Sequence, residues 1–445
     1  VATDFKNKRV TVVGMARSGI AAARALDGLG ARVTITDKKP LSELSAQVAA
    51  LNNGRINVEA GGHPERIFLE TDLIVLSPGV PKLAPILKAR EQGVPVISEL
   101  ELAWQLSESP YIGITGTNGK STVTTLVGLM LAKAGKKVLV AGNIGNALTE
   151  DVAQLRGQDW IVAELSSFQL EDIDTFKPRI AAILNVTQDH LDRYHDLTEY
   201  GEAKARVFKN QQKDDVLVLN FDDAEVKAFA TRTAASIIPF SRLQRFNPGA
   251  CIQDGHLLFN NQRVLKIDEI RIKGVHNLEN ALAATALSLV AGADIASVAA
   301  VLREYPGLEH RLEFVRKRNG VIYINDSKGT NVGAVVKSVE GFTSPVILIA
   351  GGLDKGSDFS PLYNLFAEKV KLLVLIGKAA DKMEETLGSA TETVRAASLG
   401  EAVRIAAEQA QLGDVVLLSP ACASFDMFKD FEDRGRKFKE AVKKL

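Results

Sequence analysis

Short β-branched, apolar runs alternate with longer Ala- and Leu-rich stretches of helical spacing along the whole chain. That alternation predicts an α/β protein of βα units on mostly parallel sheets, because a parallel strand pair needs a long crossover and a helix is the usual one. The series restarts twice. Its first set is Arg9–Gly14, Val33–Asp37, Leu73–Ser77 and Val94–Ser98. The second is Tyr111–Thr115, Val138–Ala141, Trp160–Leu165, Ile180–Val186 and Val216–Asn220. The third is Val321–Asn325, Val346–Ala350, Leu372–Gly377 and Val415–Ser419. Glu99–Pro110 has helical spacing and runs to a proline, which sets a boundary near residue 98. Tyr305-Pro306-Gly307 breaks a helix and sets a second. Between them, Phe240–Ile272 holds Asn-Pro-Gly, Asp-Gly and Asn-Asn turns and predicts a small antiparallel excursion.

Composition narrows the class. Hydrophobic residues make up 46% of the 445 positions and charged residues 24%, an ordinary globular mix that excludes a disordered chain. Lys+Arg and Asp+Glu are both 54, so there is no global basic field, and neither nucleic acid nor membrane is an expected partner. Two cysteines, Cys251 and Cys422, are too few for a disulfide scaffold or a cysteine-based zinc site. No apolar run approaches the ~18 residues of a membrane span. Val1–Lys6 lacks the apolar core of a signal peptide, and a cytoplasmic protein is expected.

The strongest chemical signal is Gly113-Ile114-Thr115-Gly116-Thr117-Asn118-Gly119-Lys120-Ser121-Thr122. An apolar strand runs into a glycine loop and a helix follows. Such a loop wraps backbone N–H groups around phosphate oxygens, and the helix N-terminus adds positive potential. Lys120 would reach the outer phosphates and the Ser121 hydroxyl would bind Mg²⁺. The usual first glycine of an eight-residue phosphate loop falls here on Ile114, so Gly116 must supply the bend.

Other polar clusters close other strands. Trp160–Glu164 ends in a carboxylate, where phosphate-loop enzymes hold Mg²⁺. Alone, Glu164 would read as a surface acid or helix cap. Asn185–Tyr194 carries His190 at a strand end, and Tyr200–Lys209 reads as a helix bearing Lys204, by itself a solvated lysine. Near the start, Gly14-Met15-Ala16-Arg17-Ser18-Gly19 with Asp37 nearly matches a dinucleotide fingerprint, but Ala16 replaces the middle glycine and weakens an NAD reading. Ser77-Pro78-Gly79-Val80-Pro81 closes a later strand on the same side. In the last third, Asn325–Asn331, Gly351–Gly356 and Leu418–Asp426 follow three strands and define one crevice. Cys422 lies there without a clear histidine partner and reads as a small packing residue.

With these residues assembled, the chain resembles the Mur ligases, ATP-dependent amide-forming enzymes of cell-wall precursor synthesis. The likeness rests on the loop at 115–121, on His276-Asn277 with Asn280 beyond, on His310-Arg311, on Glu164–Leu170, on Asp326-Ser327-Lys328 followed by Thr330-Asn331, and on Ser419–Asp426. It implies a Rossmann-like domain for a UDP-sugar (1–98), a central P-loop ATPase-like domain with a mostly parallel sheet (99–307), and a Rossmann-like domain for the incoming amino acid (308–445). The implied reaction joins D-glutamate to UDP-N-acetylmuramoyl-L-alanine through an acyl phosphate. The implied cofactors are ATP, Mg²⁺ and a CO₂-derived carbamate on Lys204.

Matched to the family, Lys120, Glu164, His190 and Lys204 are catalytic, and Ser121, Glu164, His190 and Lys204 hold metal. Gly116, Thr117, Asn118, Gly119, Lys120, Ser121, Thr122, Asn277, Arg311, Asp326 and Lys328 bind ATP. Gly14, Met15, Ala16, Asp37, Gly79, Asn143 and Ser166 bind the UDP-sugar, with Lys38-Lys39 departing from some relatives. Thr330, Lys355, Ser424, Phe425 and Phe431 bind D-glutamate. A monomer is expected, with domains that close on the substrates. Three rival functions remain at this point: a folylpolyglutamate-type or other ligase of the fold, an NAD-dependent oxidoreductase, and a non-catalytic nucleotide-binding module. Ala16 and the Lys120-Ser121 pair argue against the oxidoreductase. ADP release that depends on both acceptor and amino acid separates an enzyme from a module.

Overall fold

The computed structural model describes residues 4–51, 54–81, 83–143, 147–152, 160–187, 193–354 and 356–445. The chain divides into two compact units, Val1–Tyr305 and Pro306–Leu445.

The first unit carries two sheets. One has strands β1 (Arg9–Val13), β2 (Arg32–Asp37), β3 (Asn57–Ala60), β4 (Leu73–Leu76) and β5 (Val96–Ser98), all parallel in the order β3-β2-β1-β4-β5. The order reverses between β1 and β4, and such a switch opens a ligand crevice at the strands' C-terminal ends. The other holds β6 (Tyr111–Thr115), β7 (Val138–Gly142), β8 (Trp160–Glu164), β9 (Ile180–Ile183), β10 (Val216–Asn220), β11 (Ser236–Ser241), β12 (Ala250–Gln253), β13 (His256–Phe259) and β14 (Gln262–Lys266). Among the described residues its order is β14-β13-β12-β11-β10-β9-β6-β8-β7. The antiparallel excursion expected over Phe240–Ile272 exists as β12–β14. It is not separate, because β12 pairs parallel to β11 and extends the main sheet.

The helix Glu99–Leu106 joins the two sheets. Its Glu101 is fully buried and accepts from the backbone N–H groups of Asp174, Thr175 and Phe176, from the Thr175 hydroxyl, and from Gln105. Burial opposes ionisation of this carboxyl, yet the five donors outweigh it and hold its pKa below the usual range. Two residues earlier, Glu99 is also buried and, among the described residues, accepts from the N–H and hydroxyl of Thr149. Burial there pushes the carboxyl up.

The second unit is a six-stranded sheet of β15 (Glu313–Arg318), β16 (Val321–Asn325), β17 (Val346–Gly351), β18 (Val370–Ile376), β19 (Glu392–Arg395) and β20 (Val415–Leu418) in the order β15-β16-β20-β17-β18-β19. Among its named strands in the described residues, the β15–β16 pair is antiparallel and the rest are parallel. The strand cores are buried on both faces, as parallel sheets covered by helices require. Among the described residues no helix is long and apolar enough to cross a membrane.

Candidate active site

The glycine loop follows β6 at the centre of the nine-stranded sheet. Gly116 has φ +149° and Gly119 φ +84°, backbone that side chains rarely adopt. At Gly116 an added Cβ would sit 3.0 Å from that of Leu184, and at Gly119 it would collide with Asn280 Oδ1. The loop is laced to the end of β9. Thr117 N–H donates to Asn185 O at 2.9 Å, Asn118 N–H to Asn185 Oδ1 at 2.7 Å, and Thr187 N–H to the Thr117 hydroxyl at 3.0 Å. The helix Lys120–Lys133 follows directly, with Gly119 as its N-cap. Ser121 and Thr122 are buried in its first turn.

Two lysines meet at this loop. Lys120 Nζ donates to the carbonyls of Gly116 and Thr117, each at 2.9 Å. Lys204 Nζ donates to the same Gly116 carbonyl at 2.9 Å and lies 4.0 Å from the centroid of the Tyr200 ring. Lys204 is 1% exposed, so the solvated-lysine reading fails. Its helix, Leu197–Ala205, begins where the Asp196 carboxylate caps Glu199 N–H.

Glu164 ends β8 and pairs with Ile114, two residues before Gly116. It is 2% exposed. Its Oε1 accepts from Asn143 Nδ2 at 2.9 Å, while Oε2 is buried with no hydrogen-bond partner among the described residues. An unpartnered buried carboxylate oxygen is costly unless a cation or proton meets it. A hard divalent cation such as Mg²⁺ therefore fits Glu164, with the Ser121 hydroxyl close in sequence to the loop. His190 lies outside the described residues.

The helix Val275–Val290 brings Asn280 against Gly119, and Asn280 Nδ2 donates to Asn277 Oδ1 at 3.3 Å. Asn277 also bonds the Lys273 carbonyl.

At the C-terminal ends of the five-stranded sheet, Gly14, Met15, Asp37 and Gly79 come together. Met15 N–H donates to Asp37 Oδ2 at 2.8 Å and Lys39 N–H to Asp37 Oδ1 at 3.0 Å. Ser77 donates to the Gly14 carbonyl, and Gly79 lies in the turn just beyond. Ala16 is exposed and precedes the helix Arg17–Gly28, leaving backbone rather than side chain to meet a ligand. Two further UDP-sugar candidates lie on the other sheet. Asn143 is bonded to Glu164, and Ser166 caps the helix Ser167–Glu171 in a capping box with Gln169.

In the second unit, Asp326 follows β16 and is 3% exposed. Its carboxylate accepts from the hydroxyls of Ser338 and Ser419, both at 2.7 Å, and from Leu312 N–H. Burial pushes its pKa up, against those bonds. Asp326 thus fastens the β16 and β20 loops. Lys328 Nζ lies 5.7 Å from the Phe431 ring centroid. Arg311 is half-buried, with its N–H on the Leu308 carbonyl. Thr330 N–H donates to the Lys328 carbonyl. Ser424 is buried, Phe425 is 63% exposed, and Phe431 stands edge-on to His310. Lys355 lies outside the described residues. Cys422 is buried and its thiol is pushed up to about 12 by burial, in line with a packing role.

Sequence reasoning missed the residues that position others. Fully buried Arg434 donates to the Ser327 hydroxyl and carbonyl and to the Cys422 carbonyl, tying two site loops together. Nothing in its helix pattern marks it, because an inward arginine and a surface arginine share the same spacing. Asn185 and Thr187 stand in the polar cluster that closes β9, and Asn280 lies three residues beyond Asn277 on one helix face. Their contacts with the loop required the fold.

A parallel sheet whose central strand feeds a lysine-bearing glycine loop, with a buried acid on the next strand, defines an ATP-using α/β enzyme. The sequence matches the Mur ligase MurD-like N-terminal domain over residues 8–98, the Mur ligase middle domain over 114–288, and the Mur ligase glutamate ligase domain over 310–422. The chain belongs to the Mur ligase family. It is 47% identical over 446 residues to the UDP-N-acetylmuramoylalanine–D-glutamate ligase of Geotalea daltonii, covering 99% of this chain and 98% of that one. The protein of the same name from Caldanaerobacter subterraneus is 43% identical, with 99% of each covered. Among solved structures, UDP-N-acetylmuramate-alanine ligase of Thermotoga maritima superposes with a TM-score of 0.61 at 21% identity, covering 98% of this chain and 100% of that one. A pseudomurein peptide ligase type C of Methanothermus fervidus gives 0.61 at 18% identity over the same shares, a likeness of fold.

Proposed function

We propose that this chain joins D-glutamate to UDP-N-acetylmuramoyl-L-alanine with hydrolysis of ATP to ADP and phosphate, in peptidoglycan precursor synthesis. The observation that carries this reading is the 47% identity, end to end, with a ligase of that name. The site supplies the chemistry the reaction needs. A substrate carboxylate is a poor electrophile, so an oxygen of it attacks the γ-phosphorus and ADP leaves, giving an acyl phosphate. The neutral amine of D-glutamate then attacks the acyl carbon, phosphate departs, and the amine loses a proton.

Both steps bring anions together, and the chain's task is to neutralise and hold them. Lys120, already at the loop, offers its ammonium to the outer phosphates. The backbone N–H groups of 116–121 and the helix N-terminus add fixed positive potential. Glu164, Ser121 and Lys204 would hold Mg²⁺, with His190 as a further ligand. The cation supplies charge neutralisation between phosphate and carboxylate oxygens.

For Lys204 the ligand form is a carbamate. Its neutral amine adds to CO₂, an N–C bond forms and one proton is released. The modification turns a cation into a carboxylate-like metal ligand, a role that a buried lysine at this loop could not fill as an ammonium.

Asp37, with the backbone of Met15 and Ala16, and Gly79 serve the UDP-sugar, with Asn143 and Ser166 nearer the metal. Asn277, Arg311, Asp326 and Lys328 serve ATP, Asp326 by fixing its loop. In the second unit Thr330, Lys355, Ser424, Phe425 and Phe431 serve D-glutamate. The domain limits 1–98, 99–307 and 308–445 and the monomeric state belong to the same proposal. Phosphate release over a panel of amino acids with UDP-N-acetylmuramoyl-L-alanine tests it. Release with D-glutamate alone supports it; equal use of L-glutamate, or preference for L-alanine or a diamino acid, overturns it.

A further inference from the structure

The loop after β3 holds a histidine that none of the assigned roles uses. Gly61-Gly62-His63 lies directly on the loop after β2, with Gly61 N–H donating to Lys39 O at 2.7 Å and Gly62 N–H to Asp37 O at 3.3 Å. Thr36, the last residue before Asp37, is fully buried. Its hydroxyl oxygen lies 3.1 Å from the Gly62 carbonyl and 3.0 Å from His63 Nδ1.

A hydroxyl has one hydrogen. Both contacts are hydrogen bonds only if that hydrogen goes to the Gly62 carbonyl and Nδ1–H donates to the hydroxyl oxygen. The opposite arrangement would leave Gly62 O unserved by Thr36. The arrangement that serves both contacts holds the ring as the Nδ1–H tautomer, with Nε2 on its far side as an acceptor. The ring is half-buried and leans on Phe68, with centroids 6.4 Å apart. Burial pushes its pKa down, which keeps the acceptor unprotonated near neutral pH.

Position gives this acceptor a partner. In an open sheet of order β3-β2-β1-β4-β5, a nucleotide's diphosphate sits at the helix following β1 and its nucleoside runs outward past the acid that ends β2. That acid is Asp37. The next loop outward is Gly61–His63.

We infer that His63 is a specificity-determining residue whose Nε2 accepts a hydrogen bond from a donor of the uridine moiety, either uracil N3–H or a ribose hydroxyl. The inference rests on the UDP-sugar reading of this sheet. If the donor is N3–H, the same contact rejects cytidine, whose N3 is itself an acceptor.

The test is calorimetric titration of the full chain with uridine 5′-monophosphate and with its 3-methyl, 2′-deoxy and 3′-deoxy analogues. Wild type, His63→Ala and His63→Gln are compared. Loss of one hydrogen bond in His63→Ala should weaken binding of the parent nucleotide by roughly 3- to 10-fold. The wild type's penalty against the 3-methyl analogue (base donor) or a deoxy analogue (ribose donor) should vanish in that variant. His63→Gln, whose amide oxygen can still accept, should keep part of it. In turnover, KM for the UDP-sugar should rise by the same factor with kcat and the KM for ATP unchanged. Equal affinities in wild type and His63→Ala overturn the inference alone, as does a uniform loss across every analogue with a lowered Tm. Failure of the wild type to bind any uridine nucleotide overturns the UDP-sugar reading itself.

Discussion

Glu164→Gln separates stability from activity in one substitution. The wild-type carboxylate is 2% exposed and has one oxygen bonded to Asn143 and the other without a partner among the described residues. Glutamine keeps the shape and the Asn143 bond but replaces a buried anionic oxygen by a neutral amide group. An unsatisfied buried polar group costs about 1–3 kcal/mol, and more when charged. Without divalent cation, Glu164→Gln should therefore match or exceed the wild type, by about 1–2 kcal/mol, which is a few degrees in Tm for a unit of this size. With Mg²⁺·ATP the order should reverse. A ligand at 100 times its Kd stabilises by about 2.7 kcal/mol, and the variant should forgo much of that. Turnover should fall by about 10²–10³-fold, the scale for losing one electrostatic contact in a transition state. Thermal melts with EDTA, with Mg²⁺ and with Mg²⁺·ATP, run beside a phosphate-release assay, read all three. A variant less stable without cation, yet active and equally stabilised by Mg²⁺·ATP, would refute the assignment of Glu164 as a cation ligand.

Lys120→Ala should nearly abolish turnover while leaving the protein folded, because it removes a phosphate-neutralising cation from the loop; a folded variant with normal product formation sinks the phosphate-loop reading. Lys204→Ala should lose most activity and regain part of it with acetate, a carboxylate small enough for the carbamate's place, whereas full activity without acetate would end the carbamate proposal. Glu101→Gln should turn an accepting oxygen into an amide that faces backbone donors, costing about 2–3 kcal/mol at pH 7, or roughly 4–12 °C in Tm. Because the folded carboxyl is held below its usual pKa, that stabilisation is present above the unfolded value and fades as pH falls through the folded one. The gap between wild type and variant should close on acidification, and a gap that is constant with pH would show that the charge is not what the donors hold.

Much of the architecture is written in local pattern. Strands such as Tyr111–Thr115 and Val216–Asn220 are bounded as the apolar runs are, because a strand buried on both faces must be apolar along most of its length. The edge strands escaped for the same reason reversed. Asn57–Ala60, Glu313–Arg318 and Glu392–Arg395 end their sheets and tolerate charge and exposure, so they look like loops. β11 was hidden by Pro239 within an otherwise apolar run.

The chemistry was legible where it is contiguous. The glycine loop needs its glycines, lysine and serine within a few residues, since one turn of backbone must wrap one phosphate, and any reader of the sequence meets them together. Residues that act across the fold were not legible. That Lys204 is buried against Gly116 depends on a stretch of chain 88 residues apart in sequence folding back onto the loop. That Asp326 spends its carboxylate on Ser338 and Ser419, and that the Thr36 hydroxyl meets the His63 ring, depends on loops from different strands converging. Sequence determines which side chains are available and which strands carry them. Only the tertiary structure decides which of them share a hydrogen, lose their water or keep a lone pair, because those properties belong to the neighbours.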